Sequence, residues 1–194
     1  MRSTDEGPYA KLLPTDGKLL PCVFKEDVGG TLSFRKRYKK YVCSACGRLD
    51  AGKALDSSGL DPEFAANTGK RHLCNTYDYL CVVNSELRRL LEAHCDDVRY
   101  FNVQNKGDHF VIWPKHLVIP DGSSTYERTL KCRTCGFYRS IVFGPGLMHS
   151  IPDIAIGAVL LEAPQGPNPA WFVNEELAKA LKSAKIKGIL LLKR

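Results

Sequence analysis

No apolar run in this chain approaches the roughly 20 residues that a membrane-spanning helix needs, which excludes a protein built on such helices. Met1 to Gly17 is polar and lacks the apolar stretch of a secretory signal, so a cytoplasmic location is expected. The recognisable catalytic signatures are also missing: there is no nucleophile elbow, P-loop, dinucleotide fingerprint or His-Glu-x-x-His. The five histidines, His72, His94, His109, His116 and His149, are scattered and trace no triad pattern. Gly144-Pro145-Gly146 reads as a turn rather than a phosphate cradle. No enzyme is expected.

What is present is ordinary for a folded protein. The 194 residues are 44% hydrophobic and 25% charged, enough for one compact domain or two small ones sharing a core. A formal net charge of +7 permits contact with nucleic acid, an anionic membrane or an acidic protein without choosing among them. The densest basic run, Arg35-Lys36-Arg37-Tyr38-Lys39-Lys40, has the composition to grip phosphate. Its plainer interpretation is a solvated strand face leading into the cysteine motif that follows.

Eight cysteines are the most informative feature. Four of them form two CxxCG units, Cys43-Ser44-Ala45-Cys46-Gly47 and Cys132-Arg133-Thr134-Cys135-Gly136, separated by 89 residues. In a reducing compartment paired CxxC units mean metal or redox chemistry rather than disulfides. Two more landmarks recur at an offset of 90: Pro62-Glu63-Phe64-Ala65 against Pro152-Asp153-Ile154-Ala155, and Val83-Asn84-Ser85-Glu86-Leu87 against Val173-Asn174-Glu175-Glu176-Leu177. Three landmarks in one order at one spacing point to an internal duplication.

Each copy reads knuckle, variable loop, strand, capped helix, strand. In the first, Tyr79 to Val83 is the expected strand, with Asn84 or Ser85 as N-cap. Leu87, Leu90, Leu91 and His94 form a helix face, and Val98 to Val103 is the closing strand. In the second, Trp171 to Val173 leads to Asn174 as cap. Glu175 and Glu176 then stand in the first turn and Lys179, Lys182 and Lys185 further on, complementing the helix dipole. Leu177, Ala180, Leu181 and Ala184 form the expected buried face, and Ile186 to Leu192 closes as a strand with Gly188 at a bulge. His109 to Ile119 alternates as a strand, Pro120-Asp121-Gly122 is a turn, and the Pro-rich stretch 163–169 is a loop. The fold class is α+β, with duplicated αβ units joined by a zinc-ribbon-like site. The division is an N-terminal variable segment 1–40, a first repeat 41–131 and a second repeat 132–194, packed together as one compact unit.

A CxxC turn places two thiolates on one side of a tight loop, and the following glycine allows a positive φ that turns backbone amides towards the sulfurs. Structural zinc takes four such ligands tetrahedrally at about 2.3 Å, and two knuckles supply them. Cys43, Cys46, Cys132 and Cys135 are therefore the expected zinc ligands, with the metal stapling the two copies. Such a site supplies on the order of 10 kcal/mol or more of folding free energy. A redox dithiol is the rival, weakened because neither knuckle opens a periodic helix. Four cysteines leave no open position for catalytic zinc. Cys81 reads as a buried small hydrophobe. Cys22 has no assigned role. His72 with Cys74 and His94 with Cys95 suggest a second metal site only weakly, since nothing matches them in the second copy.

The paired CSACG and CRTCG, the VNSEL and VNEEL segments and the ending AKALKSAKIKGILLL resemble the double-CxxCG motif family known from myxobacterial paralogues. The resemblance spans about Tyr41 to the C-terminus, and the closing helix and strand also resemble immunity proteins of bacterial polymorphic toxin systems. It implies a protein that binds and neutralises a cognate protein toxin. No toxin-binding residue can be carried over, because the shared motifs are scaffold. The first 40 residues match neither. A zinc-ribbon nucleic-acid-binding protein is the alternative. The stretch before the second knuckle, Tyr126 to Lys131, is much less basic than 35–40, which counts against a duplicated nucleic-acid surface.

Overall fold

The computed structural model describes residues 9–14, 22–23, 37–60, 62, 64–66, 71–75, 80–103, 108–115, 117, 126–136, 138–143, 154–163, 166–187 and 189–193. The expected features at Met1 to Pro8, Arg35, Lys36, Glu63, Tyr79, His116, Pro120-Asp121-Gly122, Gly144-Pro145-Gly146, His149, Pro152, Asp153 and Gly188 lie outside them.

Along the chain the elements are β1 (Tyr9–Pro14), β2 (Cys22–Val23), a 3-10 turn (Lys39–Tyr41), α1 (Ala51–Ser58), β3 (Ala65–Ala66), β4 (Leu73–Asn75) and β5 (Cys81–Asn84). Then follow α2 (Ser85–His94), β6 (Val98–Asn102), β7 (His109–Pro114), β8 (Tyr126–Lys131) and β9 (Tyr138–Phe143). The last are β10 (Ile156–Ala163), β11 (Gly166–Asn174), α3 (Glu175–Ser183) and β12 (Ile189–Lys193). The protein is mixed α and β, and every strand pair among the described residues is antiparallel. No helix among the described residues is long and apolar enough to cross a membrane.

Two four-stranded sheets carry the architecture, in the orders β4-β5-β7-β6 and β10-β11-β1-β12. In each, the strand before a helix and the strand after it flank a third strand, which both pair with. The registers agree closely. Asn84 pairs with His109 and Asn174 with Tyr9; Val98 pairs with Pro114 and Ile189 with Pro14. The middle strands are HFVIWP in one sheet and YAKLLP in the other, both six residues ending in proline. The second sheet thus draws its inner strand from the N-terminal segment, outside residues 132–194.

Both helices start as their sequences dictate. The Asn84 side chain accepts a hydrogen bond from the Leu87 amide at 2.9 Å, and Asn174 does the same for Leu177 at 2.8 Å. Leu87 and Leu91 of α2 and Leu177, Ala178 and Leu181 of α3 are buried. His94 and Ala184, expected on the buried faces, are exposed, and Ala180 is half-buried. The helical period explains the change: positions 177, 178 and 181 share one face, while Ala184 has become the C-cap and leaves it. The helix ends in a Schellman arrangement, with Lys185 at φ 52, its amide donating to Lys182 and the Ile186 amide to Leu181. This turn consumes Ile186 and Lys187, so β12 begins at Ile189 rather than Ile186.

Within 163–169, expected as a loop, Ala163 instead ends β10 and Gly166 to Pro169 open β11, with Ala163 opposite Gly166 and Leu160 opposite Pro169. Its prolines are tolerated because this part of β11 pairs with β10 only; pairing with β1 begins at Trp171.

Alternation sorts the first sheet's side chains. Cys81, Val83, Phe110 and Ile112 enter a core shared with α2, α3, Ile156, Trp171 and Val173. Leu80, Val82, Val111 and Trp113 enter a second core under α1 with Tyr38, Leu49 and Phe64. The sheet is covered on both faces, which explains why β7 is buried along its whole length. A polar joint also crosses between the units. The Lys187 amide donates to His72 Nδ1 at 2.9 Å, and the His72 amide to the Lys187 carbonyl at 3.2 Å. With Nδ1 accepting, Nε2 carries the proton towards the Glu86 carboxylate 2.9 Å away.

Truncating either cap, Asn84→Ala or Asn174→Ala, is expected to cost about 1 kcal/mol in urea unfolding of the metal-saturated protein. Lys185→Gly is expected to stabilise by about 1 kcal/mol, because the left-handed backbone there disfavours a side chain. A loss of stability in that variant would show that the helix does not end this way.

Candidate metal centre

The first knuckle is the loop of a minimal hairpin. Val42 and Leu49 form an antiparallel bridge across it, and the Cys43 amide donates to the Arg48 carbonyl at 2.7 Å. Buried Leu49 anchors its exit in the second core, and Asp50 at once caps α1 by accepting from the Lys53 amide at 3.0 Å. At its entry, buried Tyr38 donates its hydroxyl to the Gly59 carbonyl at 2.7 Å. Residues expected as a strand face before the knuckle are therefore a 3-10 turn, and the tyrosine of the basic run is a core anchor. The second knuckle is the loop of the β8–β9 hairpin, with Lys131 opposite Tyr138. β9 packs beside β10, so one knuckle is attached to the first sheet's outer core and the other to the second sheet.

Both knuckles close in the same way. The Gly47 amide donates to the Cys43 carbonyl at 2.8 Å and the Gly136 amide to the Cys132 carbonyl at 2.9 Å. Gly47 has φ 71 and Gly136 φ 77, values that L side chains resist. A Cβ at Gly136 would meet nothing within 4 Å, so the backbone angle rather than space calls for glycine.

Cys43, Cys46, Cys132 and Cys135 come together as expected, their sulfurs all within 4.8 Å of one another. Cys43 Sγ lies 3.9 Å from Cys132 Sγ and Cys46 Sγ 3.6 Å from Cys135 Sγ. A tetrahedron of thiolates at about 2.3 Å from a central ion has edges of about 3.8 Å. The two measured edges bracket that value, whereas a disulfide would bring sulfurs to about 2.05 Å. All four are free thiols. The donor set and its spacing fit one tetrahedral thiophilic ion.

The electrostatics favour the charged ligand form at Cys43 and Cys132. Amides of Cys46 and Ala45 hold Cys43 below the usual thiol range, and those of Cys135 and Thr134 bring Cys132 down to about 6. Cys46 is pushed the other way, first by desolvation and then by the neighbouring thiols. A divalent ion would reverse that, since metal coordination deprotonates a thiol outright.

The remaining cysteines do not join a metal site among the described residues. Cys74 and Cys81 are buried on opposite faces of the first sheet, and the Cys74 thiol donates to the Val82 carbonyl at 3.7 Å. Burial pushes the Cys81 thiol well up, as expected of an inert core residue. Cys95 caps α2 and directs its thiol to the Leu91 carbonyl at 3.3 Å. His72 is spent on the Lys187 joint, and His94 is exposed. That joint escapes sequence reading because it links residues 115 apart through a main-chain group.

One divalent ion per chain is expected by elemental analysis after reduction, and Cys43→Ser or Cys132→Ser should lose most of it. Metal binding must displace protons from the thiols, so affinity for the ion should fall steadily as the pH is lowered, read with a competing chromophoric chelator. Scanned against models of known protein families and searched against curated proteins, the chain matches none.

Proposed function

We propose that this chain is an immunity protein that binds and neutralises a cognate bacterial toxin, with one structural zinc held by Cys43, Cys46, Cys132 and Cys135. The observation that carries the structural role is the closed set of four sulfurs at tetrahedral spacing. Four protein thiolates fill zinc's usual coordination and leave no position for a reacting water, so the metal braces the protein rather than performing chemistry. The proposal accordingly assigns no catalysis.

The toxin partner is supported by the sequence resemblance of the two CxxCG units, the VNSEL and VNEEL segments and the closing helix and strand. The matching orders and registers of the two sheets support the companion reading that the chain is a duplicated αβ unit. A rigid binder suits neutralisation. Bracing two sheet units with a metal lowers the ordering cost paid on association, which favours a long-lived complex.

The test is affinity capture of the zinc-loaded chain from lysate of its native host, followed by co-expression of any recovered protein in a heterologous bacterium. Growth arrest by that protein, relieved by this chain and restored when Cys43→Ser removes the zinc, is the expected result. Failure to recover a stoichiometric protein whose toxicity the chain relieves would sink the toxin reading, whatever the zinc content.

A further inference from the structure

The four sulfurs of the metal centre differ in access to solvent. Cys46 is exposed, whereas Cys43, Cys132 and Cys135 are half-buried. Its neighbours Ser44 and Ala45 are exposed too, and their side chains are small. Contacts between the knuckles join like with like: first cysteine to first, Cys43 to Cys132 at 3.9 Å, and second to second, Cys46 to Cys135 at 3.6 Å. The most open sulfur thus has a partner from the opposite unit 3.6 Å away. Other thiols are kept from such chemistry. Cys74 and Cys81 are buried, the Cys95 thiol is turned to the Leu91 carbonyl, and burial favours the protonated form of both Cys81 and Cys95.

We propose that Cys46 and Cys135 form a reversible oxidation site for hydroperoxides, closing to a disulfide across the two knuckles with release of the zinc ion. The proposal rests on the zinc reading above and is independent of the toxin. A bound divalent ion keeps its sulfur ligands as thiolates, and the thiolate is the form that attacks an O–O bond. With hydrogen peroxide the Cys46 thiolate takes one oxygen, giving a sulfenic acid and hydroxide. The Cys135 thiolate then attacks that sulfur and displaces a second hydroxide as the S–S bond forms. The two sulfurs lose one electron each, the peroxide gains both, and two protons from solvent turn the hydroxides into water. Only Cys43 and Cys132 then remain to hold the ion, two ligands where structural zinc takes four, which releases it.

Geometry favours this bond over one within a knuckle. A disulfide needs about 2.05 Å between sulfurs, so the Cys46–Cys135 pair has to close by about 1.5 Å. Each knuckle is fixed by its own amide-to-carbonyl closure and its positive-φ glycine, so narrowing a knuckle from within works against those restraints. A bond between knuckles asks instead for a small approach of one loop towards the other. Oxidation by this route does not part the two units. Residues 89 apart in sequence stay linked, by a covalent bond in place of the ion. A disulfide within each knuckle would join near neighbours in sequence and leave the units unconnected at this end.

The test uses the zinc-loaded full chain, reduced and freed of excess thiol, with its zinc content measured first. Hydrogen peroxide is added beside a chromophoric zinc chelator, and samples are alkylated, digested without reduction and mapped by mass spectrometry. The expected result is release of the zinc in step with a Cys46–Cys135 disulfide, reversed by dithiothreitol and added zinc. The variant Cys95→Ser should respond at the parent's rate, which separates the site from the half-buried thiol outside it. The oxidised chain should unfold at a higher temperature than the reduced chain stripped of zinc, because a loop of 89 residues stays closed. Zinc retained at a peroxide dose that oxidises free cysteine would overturn the proposal. So would a first disulfide within one knuckle, a Cys46 carried to sulfinic acid without its partner, or a response lost in Cys95→Ser. A chain that carries no zinc before peroxide is added would sink the metal reading itself and the proposal with it, so the two failures are told apart.

Discussion

Four sulfur atoms from two places 89 residues apart have to lie within 4.8 Å of one another, and most of the architecture can be understood from that requirement. Each knuckle must be rigid enough to present both thiols on one side, which the tight amide-to-carbonyl closures and the positive-φ glycines achieve. Each must also be anchored to a different part of the molecule, or its meeting with the other would order nothing. The first hangs from Leu49, Asp50 and α1; the second hangs from the β8–β9 hairpin beside β10. A cross-link closing a loop of this length withdraws about 4 to 5 kcal/mol of freedom from the unfolded chain.

The metal centre and the His72 joint are complementary. At the first, four sulfurs from opposed units lie close enough together to share one ion. At the second, a histidine on the approach to β4 takes both main-chain hydrogen-bonding groups of one residue, Lys187, and Glu86 at the start of α2 orients its ring. Between them lies the shared core, where Leu87 and Leu91 of one helix meet Leu177 and Leu181 of the other. Burial of that core supplies non-directional stability, while the two polar joints fix how the units face each other.

The knuckles are set among basic side chains. Some positive charge is needed beside a tetrathiolate, whose own charge is unfavourable in isolation. The toxin-neutralising reading makes a different demand, for a stiff scaffold, and the same metal centre meets it.

Local chemistry was legible in the sequence. The four thiols followed from two CxxCG units, and the helix starts at Asn84 and Asn174 from a short polar side chain before a leucine-rich period. These depend on contacts within about four residues, so a linear reading captures them. The hairpin across 163–169 was not legible, because proline and glycine signal a loop unless a strand has one unpaired edge, and edges exist only in an assembled sheet. Nor was the insertion of Tyr9–Pro14 into the second sheet, although YAKLLP and HFVIWP share a length and a terminal proline. Backbone hydrogen bonds are alike in every residue but proline and do not name a partner, which is set by the side chains that meet across the assembled core. The sequence by itself determined which side chains could bind a metal and where the helices begin. Only the tertiary structure decided which strand fills each sheet and which residue His72 holds, because those choices rest on contacts between residues far apart in the chain.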